Sequence, residues 1–202
     1  MNKADIAAHF DRVAHVRDRW RKRNYYYHQT IEQLCQAHIP AGSAVLDVGC
    51  GTGDLLACVK PSFGVGIDLS YRMIEQARRK YPDLHFLVGD AEALPLNMKF
   101  EYIIISDVIG HWYDIQVTLE KFHHHLLPEA KIIITYFNFV WYLALKLGER
   151  LGLKMPEHQQ NWLGRKDIEN LLYLTDYTIL ESGVKLLLPK KIPLLSYWLN
   201  EK

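Results

Sequence analysis

The sequence predicts an α/β fold in which helices cover both faces of a mainly parallel, doubly wound sheet. Short apolar runs alternate with helical patterns at regular spacing, which is typical of strand–helix–strand units. The runs are almost continuously apolar, as expected of strands that are buried on both faces. One run, Ala44–Val48, leads into the glycine-rich turn Gly49-Cys50-Gly51-Thr52-Gly53 and then into a helix start. Such a turn brings backbone N–H groups close to a small ligand.

Length and composition indicate an ordinary globular chain. The 202 residues are 49% hydrophobic with a formal net charge of +1, so no field favours a polyanionic partner. Three cysteines without paired spacing argue against a disulfide framework. The N-terminus lacks the apolar region of a signal peptide. The most apolar stretch, 132–147, is too short and too polar for a membrane span, so we expect a cytoplasmic protein.

The N-terminal segment predicts two helices. Residues 4–20 place apolar side chains on one face, and a second helix continues to about His38, before Pro40. Between them, residues 17–28 combine arginines with aromatics. This combination could bind nucleic acid. Because acids are interleaved, we favour a solvated helix face with the aromatics turned inward.

The alternation of elements then runs to the fifth strand and becomes less regular. Strands are predicted at 44–46, 63–67, 84–88, 100–105 and 131–136, and helices after Ser70 and over 115–127. Beyond these, the pattern predicts helices at 139–151 and 165–175, a loop at 154–163, and one bent strand or a hairpin at 177–188.

Acidic residues follow each of the first four strands. Asp47, Asp68, Asp90 and Asp107 occupy these positions, and two further acids, Asp54 and Glu92, lie close by. The carboxyl ends of parallel strands meet at one edge, where ligands bind in such sheets. A dinucleotide pyrophosphate would be repelled there, whereas a cationic ligand would be attracted. S-adenosylmethionine fits, because its sulfonium and ammonium outweigh its one carboxylate.

The glycine spacing supports this choice of ligand. The dinucleotide fingerprint G-x-G-x-x-G/A needs a small third residue, and here Asp54 stands in that place. Asp54 would crowd the packing of helix on strand and face the phosphates. A nicotinamide-dependent oxidoreductase is therefore the disfavoured alternative.

Three motifs make the chain resemble class I S-adenosylmethionine-dependent methyltransferases. They are residues 47–53 after the first strand, 66–70 after the second and 89–95 after the third. The resemblance, over about residues 40–137, implies a Rossmann-like sheet of the seven-stranded type, here without a clear last strand. It also implies the cofactor S-adenosyl-L-methionine and the product S-adenosyl-L-homocysteine. The implied cofactor-binding residues are Asp47, Gly49, Cys50, Gly51, Asp68, Leu69, Asp90, Ala91, Glu92 and Ser106.

The resemblance also implies how the cofactor lies. Gly49 and Gly51 approach its methionine part, and Asp47 lies near its cationic end. Asp68 accepts both ribose hydroxyls, since a carboxylate offers two acceptor oxygens to two vicinal donors. Asp90 reaches the adenine amino group, with Ala91 beside the ring. For Cys50, a small residue that fits the turn is the simpler interpretation.

A narrower resemblance concerns methyltransferase modules that accompany glycosyltransferase domains in prokaryotic cell-surface polysaccharide proteins. It rests on short stretches, among them residues 10–12, 23–28, 161–163, 167–171 and 188–194. It implies a glycan or other small-molecule acceptor, a glycosyltransferase domain or partner, and a chain that is a piece of a longer protein. We expect one domain with an N-terminal helical lid (1–40), a cofactor-binding core (41–137) and an acceptor-side segment (138–202).

Acceptor chemistry is expected after the fourth and fifth strands. Methyl transfer is an in-line displacement in which a hydroxyl acceptor benefits from a general base. His111 and Asp107 are the catalytic candidates, and Tyr26, His111, Tyr136 and Asn138 the substrate-binding candidates. Each could instead serve packing, and His111 could contact the adenine end. Tyr25, Tyr26 and His28 could fold over the site as a lid.

No metal site is predicted. Residues 123–125 are three consecutive histidines, but neighbours on a helix point about 100° apart and do not converge on one ion. Three functions therefore stay open: a small-molecule or glycan methyltransferase, a nicotinamide oxidoreductase, or a non-catalytic cofactor-binding module partnering a glycosyltransferase. RNA methylation is a further possibility through the 17–28 segment.

Overall fold

A five-stranded parallel sheet forms the centre of the molecule. The computed structural model describes residues 2–155 and 161–184. The strands are β1 (Ala44–Val48), β2 (Phe63–Asp68), β3 (His85–Val88), β4 (Phe100–Ser106) and β5 (Leu126–Thr135). Their order across the sheet is β3-β2-β1-β4-β5, and every pair is parallel. The predicted fold class is confirmed, with five strands in the described part of the chain.

Seven α-helices accompany the sheet in the described residues. They are α1 (Lys3–Arg23), α2 (Tyr25–His38), α3 (Asp54–Cys58), α4 (Tyr71–Lys80), α5 (Ile115–Phe122), α6 (Tyr142–Arg150) and α7 (Arg165–Leu174). Side-chain caps begin several of them: Ser70 Oγ accepts the Met73 N–H at 3.1 Å, and Asp114 accepts the Val117 N–H at 2.9 Å. None of the helices within these ranges is long and apolar enough to cross a lipid bilayer.

Alternate strand residues form two cores, one on each face of the sheet. Leu46 and Ile103 are fully buried against α5 and α7. Val45 and Ile104 are fully buried on the opposite face, against α2, α3 and α4. This is the period of two that a strand requires, and it explains why the strands are apolar at nearly every position. The carboxyl ends of the strands are thereby held rigidly in a row.

Two predicted boundaries are wrong. The helix predicted over 115–127 ends at Phe122, and Leu126 already pairs with Phe100 as the first residue of β5. The apolar helical spacing misleads here because Leu126 continues it by chance. Pro128 is tolerated in β5, a strand at the edge of the described sheet. The helix predicted at 139–151 consists of a 3₁₀ turn at 139–141 followed by α6.

The C-terminal strand prediction is also wrong where it can be compared. Residues 177–184 contain no strand, and residues 185–188 lie outside the described part. Tyr177 instead stacks on His123, with ring centroids 4.3 Å apart, and donates its hydroxyl hydrogen to the Leu119 carbonyl at 2.9 Å. Aromatic and β-branched residues suit a half-buried surface as well as a strand, and here they pack on α5. The domain boundaries at 40 and 137 stay predictions.

Candidate functional site

A cavity of about 420 Å³ lies at the carboxyl ends of β1 to β4. That volume falls in the range of small-molecule sites. Helices α1 and α2 and residues around α6 cover it, so the ligand would be enclosed between the sheet edge and a helical roof. All six acids predicted to gather at this edge line the cavity: Asp47, Asp54, Asp68, Asp90, Glu92 and Asp107.

The glycine turn forms the floor of the cavity beside β1. Gly49 has a φ of +75°, and a Cβ there would lie 2.6 Å from Val108 Cγ2. The Gly49 and Cys50 N–H groups donate to the Ile67 carbonyl at 2.7 and 3.0 Å, which anchors the turn on β2. Glycine is thus required at position 49 by both backbone conformation and space. Gly49, Cys50 and Gly51 all line the cavity.

Asp68, at the end of β2, lines the cavity and also accepts two backbone hydrogen bonds. Its Oδ2 accepts the Gly51 N–H at 2.9 Å, and its Oδ1 accepts the Ser70 N–H at 2.8 Å. Burial raises the pKa of Asp68, partly offset by these hydrogen bonds and by the charge of Arg17. Each carboxylate oxygen has a second lone pair that can accept a ligand hydroxyl. The sequence indicated the ligand role and missed that Asp68 also braces the glycine turn.

Asp47 is a buried acid at the end of β1. It is 1% exposed, and its Oδ2 has no hydrogen-bond partner among the described residues. Burial, reinforced by the charge of Asp68 and partly offset by a backbone hydrogen bond from Leu56, raises the pKa of Asp47 to about 7. A buried acceptor without a donor is costly, so a donor or cation from a ligand would relieve it.

Two neighbouring acids, Asp90 and Glu92, follow the end of β3. Asp90 accepts the Glu92 N–H at 3.0 Å, and Glu92 accepts the N–H groups of Tyr113 and, at 3.1 Å, Asp114. The Lys3 ammonium, at the start of α1, forms ion pairs with both Asp90 and Glu92. A ligand that reaches these acids would compete with Lys3.

The acidic edge is less negative than the sequence suggested, because α1 and α4 bring cations to it. Asp54 binds Lys80 at 2.8 Å and the Tyr81 hydroxyl at 2.7 Å, and Arg21 lies 3.6 Å away. Burial alone would raise the pKa of Asp54, but Lys80 and Tyr81 outweigh it and lower that pKa. The prediction that Asp54 crowds the helix is therefore wrong: its side chain turns to an ion-pair network.

The end of β4 faces the cavity through Ser106, Asp107 and Val108. Asp107 has a φ of +57°, and its N–H donates to the Thr135 carbonyl at 2.9 Å. The Tyr27 hydroxyl donates to the Asp107 carboxylate from α2. Ser106 Oγ lies 2.9 Å from Thr135 Oγ1, so its hydroxyl links β4 to β5.

Comparison with known proteins matches residues 45–129 to the model of a methyltransferase domain. A dTDP-3-amino-3,6-dideoxy-α-D-glucopyranose N,N-dimethyltransferase of Streptomyces fradiae is 33% identical over 110 residues, covering 52% of this chain and 43% of that protein. A demethylmenaquinone methyltransferase of Staphylococcus saprophyticus is 28% identical over 143 residues, covering 64% and 58%. The chain thus spans about half the length of these relatives.

Solved structures show the same fold. A methyltransferase from Thermotoga maritima superposes with a TM-score of 0.69 at 18% identity, covering 84% of this chain and 80% of that one. An S-adenosylmethionine-dependent methyltransferase from Clostridium acetobutylicum gives 0.64 at 19%, covering 85% and 89%. Residues 45–129 therefore form a methyltransferase domain, and the relatives and the shared fold support the predicted S-adenosylmethionine-dependent class for this part of the chain.

The remaining cofactor candidates of this methyltransferase domain also line the cavity. Leu69 and Ala91 lie beside Asp68 and Asp90. Cys50 is buried, and burial raises the pKa of its thiol well above the ordinary value. At neutral pH, Cys50 is therefore an uncharged small side chain in the turn, in line with the simpler interpretation of this residue.

The predicted acceptor-binding residues lie in different places. His111 lines the cavity, with its ring edge-on to Phe10 at 5.6 Å. Tyr136 borders a separate cleft of about 10 Å³, and Tyr26 and Asn138 line neither cavity. The roles of all four residues stay predictions. The positions of Tyr26 and Asn138, outside both cavities, do not support a role in binding the acceptor.

The sequence patterns did not predict several of the residues that line the cavity, and Tyr27 is the clearest of them. Tyr27, Ile31 and Cys35 recur every four residues and share the inner face of α2. This spacing identifies Tyr27 as the inward tyrosine, whereas Tyr26 is one position out of phase. Lys154 and Phe137 also line the cavity, and nothing in their local sequence pattern indicates it.

His28 also lines the cavity, as a neutral imidazole of low basicity near neutral pH. Burial, together with the charges of Arg17 and Arg21, lowers the pKa of His28 to about 3. Of the three consecutive histidines, His123 bonds the Thr175 carbonyl at 2.7 Å and His125 lies 3.2 Å from the Met98 carbonyl. These two side chains thus have structural partners of their own.

Proposed function

We propose that this domain binds S-adenosylmethionine along the strand ends and transfers its methyl group to a small-molecule or glycan acceptor. The observation that carries the proposal is the row of cavity-lining groups, which follows the strand order β3-β2-β1-β4. Adjacent strands lie about 4.8 Å apart, so four strand ends span about 14 Å. Such a row suits a ligand built of a base, a ribose and an amino acid in succession.

Each strand end offers the chemistry that one part of this cofactor needs. Asp90 and Glu92 are acceptors for an adenine amino group. Asp68 offers free lone pairs to ribose hydroxyls, and the glycine turn admits close approach of the methionine backbone. Asp47 offers a buried carboxylate oxygen to the cationic end. Opposite charges attract strongly at such a buried position.

When bound, the cofactor supplies a methyl group with a neutral thioether as its leaving group. The residues of this chain then have three tasks. They hold the sulfonium against an acceptor, exclude water under the roof of α1 and α2, and accept a proton where the acceptor carries one. Asp107, the acid that follows β4 and lines the cavity, is the residue that we assign to accept this proton.

The alternatives receive less support. The matches named above are methyltransferases, and the two relatives are named for an amino-sugar and a quinone acceptor, which favours a small-molecule substrate over the oxidoreductase hypothesis. RNA methylation loses support because Arg21 is engaged with Glu32 and Asp54 inside the fold. A glycosyltransferase partner, a glycan acceptor and a cytoplasmic location stay predictions.

Isothermal titration calorimetry tests the proposal. We expect S-adenosylhomocysteine to bind with one-to-one stoichiometry and NAD⁺ to show no heat of binding. Asp68→Asn should weaken the binding, because its amide nitrogen would face an N–H group of the turn, while Asp83→Asn on the exposed surface should not. Binding of NAD⁺ in preference to S-adenosylhomocysteine would favour the oxidoreductase. A non-catalytic module would bind S-adenosylhomocysteine yet transfer no methyl group from S-adenosylmethionine to any acceptor.

A further inference from the structure

We propose that the end of the cavity beyond β4 is an acceptor chamber for a small planar phenol or enol, whose hydroxyl proton passes to Asp107 with the help of Tyr27. The inference rests on the proposed function and names its substrate class. We define the acceptor chamber by the residues Tyr27, Asp107, Phe137, Leu145, Lys154 and Met155, all of which line the cavity.

The strand order locates this chamber next to the transferable methyl group. If adenine lies at β3, ribose at β2 and methionine at the β1 turn, the next strand end in the row is that of β4. Gly49 packs directly against Val108, the second residue after β4. Asp107 therefore stands one residue from the point where the glycine turn and the β4 end meet, on the side away from Asp68 and Asp90.

The walls of the acceptor chamber favour a flat, largely apolar molecule. Tyr27 and Phe137 stack nearly parallel, with centroids 5.3 Å apart and an interplanar angle of 20°. Leu145 and Met155 add aliphatic surface from α6 and the segment after it. An aromatic ring gains both burial and ring contacts from such walls.

The polar groups of the acceptor chamber suit a hydroxyl. The Tyr27 hydroxyl donates to the Asp107 carboxylate, so the carboxylate is held in place as an acceptor, and the Tyr27 oxygen can accept a proton in turn. In the step, the acceptor oxygen forms a bond to the methyl carbon as the carbon–sulfur bond breaks, and that electron pair goes to sulfur. The hydroxyl proton passes to Tyr27 as the Tyr27 proton passes to Asp107.

Lys154 supplies positive charge where negative charge would develop on the acceptor oxygen. Its Nζ lies 5.3 Å from the centroid of Phe137, and its side chain is 17% exposed. Glu149 Oε1 lies 3.8 Å from Nζ, which keeps the ammonium next to the ring. A phenol, with an ordinary pKa of about 10, ionises more readily near such a cation. The same cation would favour the neutral, nucleophilic form of an amine, so the preference for a hydroxyl rests on the Tyr27–Asp107 pair and not on Lys154.

The backbone of Asp107 makes a clean variant available. Its left-handed φ of +57° is tolerated by asparagine, so Asp107→Asn keeps the conformation and a carbonyl acceptor for Tyr27 while removing the base. Tyr27→Phe keeps the ring stack and removes the hydroxyl. Tyr173→Phe, on an 80% exposed side chain of α7, is the matched control.

The test uses 1-naphthol as the hydroxyl probe and 1-naphthylamine as the amine probe, each titrated into the chain saturated with S-adenosylhomocysteine. We expect 1-naphthol to bind and Tyr27→Phe to weaken it roughly 2- to 12-fold, the value of one hydrogen bond. With S-adenosylmethionine, we expect O-methylation that Asp107→Asn slows about 100-fold or more, with binding of 1-naphthol retained. Tyr173→Phe should match the unmodified chain in both assays.

The possible results separate this inference from the proposed function. Failure of S-adenosylhomocysteine to bind refutes the proposed function and with it the acceptor chamber. Binding of S-adenosylhomocysteine without binding or methylation of 1-naphthol refutes the acceptor class alone. Methylation of 1-naphthylamine in preference to 1-naphthol, or methylation unaffected by Asp107→Asn, refutes the proton path.

Discussion

Replacing Asp47 by asparagine should stabilise the ligand-free protein and weaken its hold on the cofactor. Asp47 is 1% exposed, and its pKa is raised from 3.8 to about 7 by burial and by Asp68. Between these two pH values the folded protein binds more protons than the unfolded chain, so its stability falls as the pH rises. The penalty is complete above about pH 7, where the carboxylate is ionised in both states.

The size of the effect follows from the same pKa. The gap between 3.8 and about 7 corresponds to ~4 kcal/mol, at about 1.4 kcal/mol per pKa unit. An asparagine side chain at this position keeps an oxygen for the Leu56 N–H and carries no charge. At pH 8 we therefore expect Asp47→Asn to raise the free energy of unfolding by up to ~4 kcal/mol and the melting temperature by up to ~16 °C. Near pH 4 the difference should vanish, because Asp47 is then protonated in the folded protein.

Differential scanning calorimetry from pH 4 to pH 9 measures this, with Asp83→Asn as the exposed control. Calorimetric titration with S-adenosylmethionine completes the test, because loss of a hydrogen bond to a charged group should weaken binding about 10- to 150-fold. A melting temperature equal to that of the unmodified chain at pH 8 would refute the pKa argument. A stabilised variant with unchanged cofactor affinity would refute the position of Asp47 at the cationic end.

Three further variants test other parts of the site. Asp68→Ala should weaken S-adenosylhomocysteine binding about 10- to 150-fold by calorimetry, since it removes hydrogen bonds to a carboxylate, and an unchanged affinity would contradict the ribose assignment. Gly49→Ala should destabilise the fold by more than about 1 kcal/mol in urea unfolding, because Cβ would lie 2.6 Å from Val108 Cγ2 and the residue has a φ of +75°. Gly152→Ala is the control. Gly152 has a similar φ but open space around it, so this variant measures the cost of the backbone conformation without the clash. Lys80→Met should destabilise the protein at pH 7 by about 1–3 kcal/mol, because Asp54, whose side chain is 15% exposed, loses its nearest cation and keeps only Tyr81 and the more distant Arg21. The difference in stability between the two proteins should shrink as the pH falls below 3.8 through the lowered pKa of Asp54, and an equal difference at pH 7 and at pH 2 would contradict this reasoning.

The sheet and the cofactor edge could be predicted because short-range patterns determine them. Apolar runs ending in Asp47, Asp68 and Asp90 identify strands and their shared edge without any tertiary contact. The strands, their parallel pairing and the family followed from these features. The same reasoning failed at two places. Leu126 continues the apolar spacing of a helix but belongs to β5, and residues 177–184 have the composition of a strand but form none.

The roof of the site could not be predicted from local pattern. Lys3 meets Asp90 and Glu92 across about ninety positions of the chain, and Arg21 meets Asp54 across 33. Such pairs depend on where α1 docks, which its own periodicity does not specify. Tyr27 is the exception, because its four-residue spacing to Ile31 and Cys35 carried the information.

The structure of the chain with S-adenosylhomocysteine bound is the most direct test of how the cofactor lies. We expect adenine beside Asp90, the ribose hydroxyls on Asp68, the amino acid over the glycine turn, and the sulfur facing Asp107. With adenine bound there, we expect Lys3 to lose at least one of its ion pairs with Asp90 and Glu92. Adenine at the β4 end, or a ligand bound outside the cavity, would contradict the assignment of strand ends to cofactor parts.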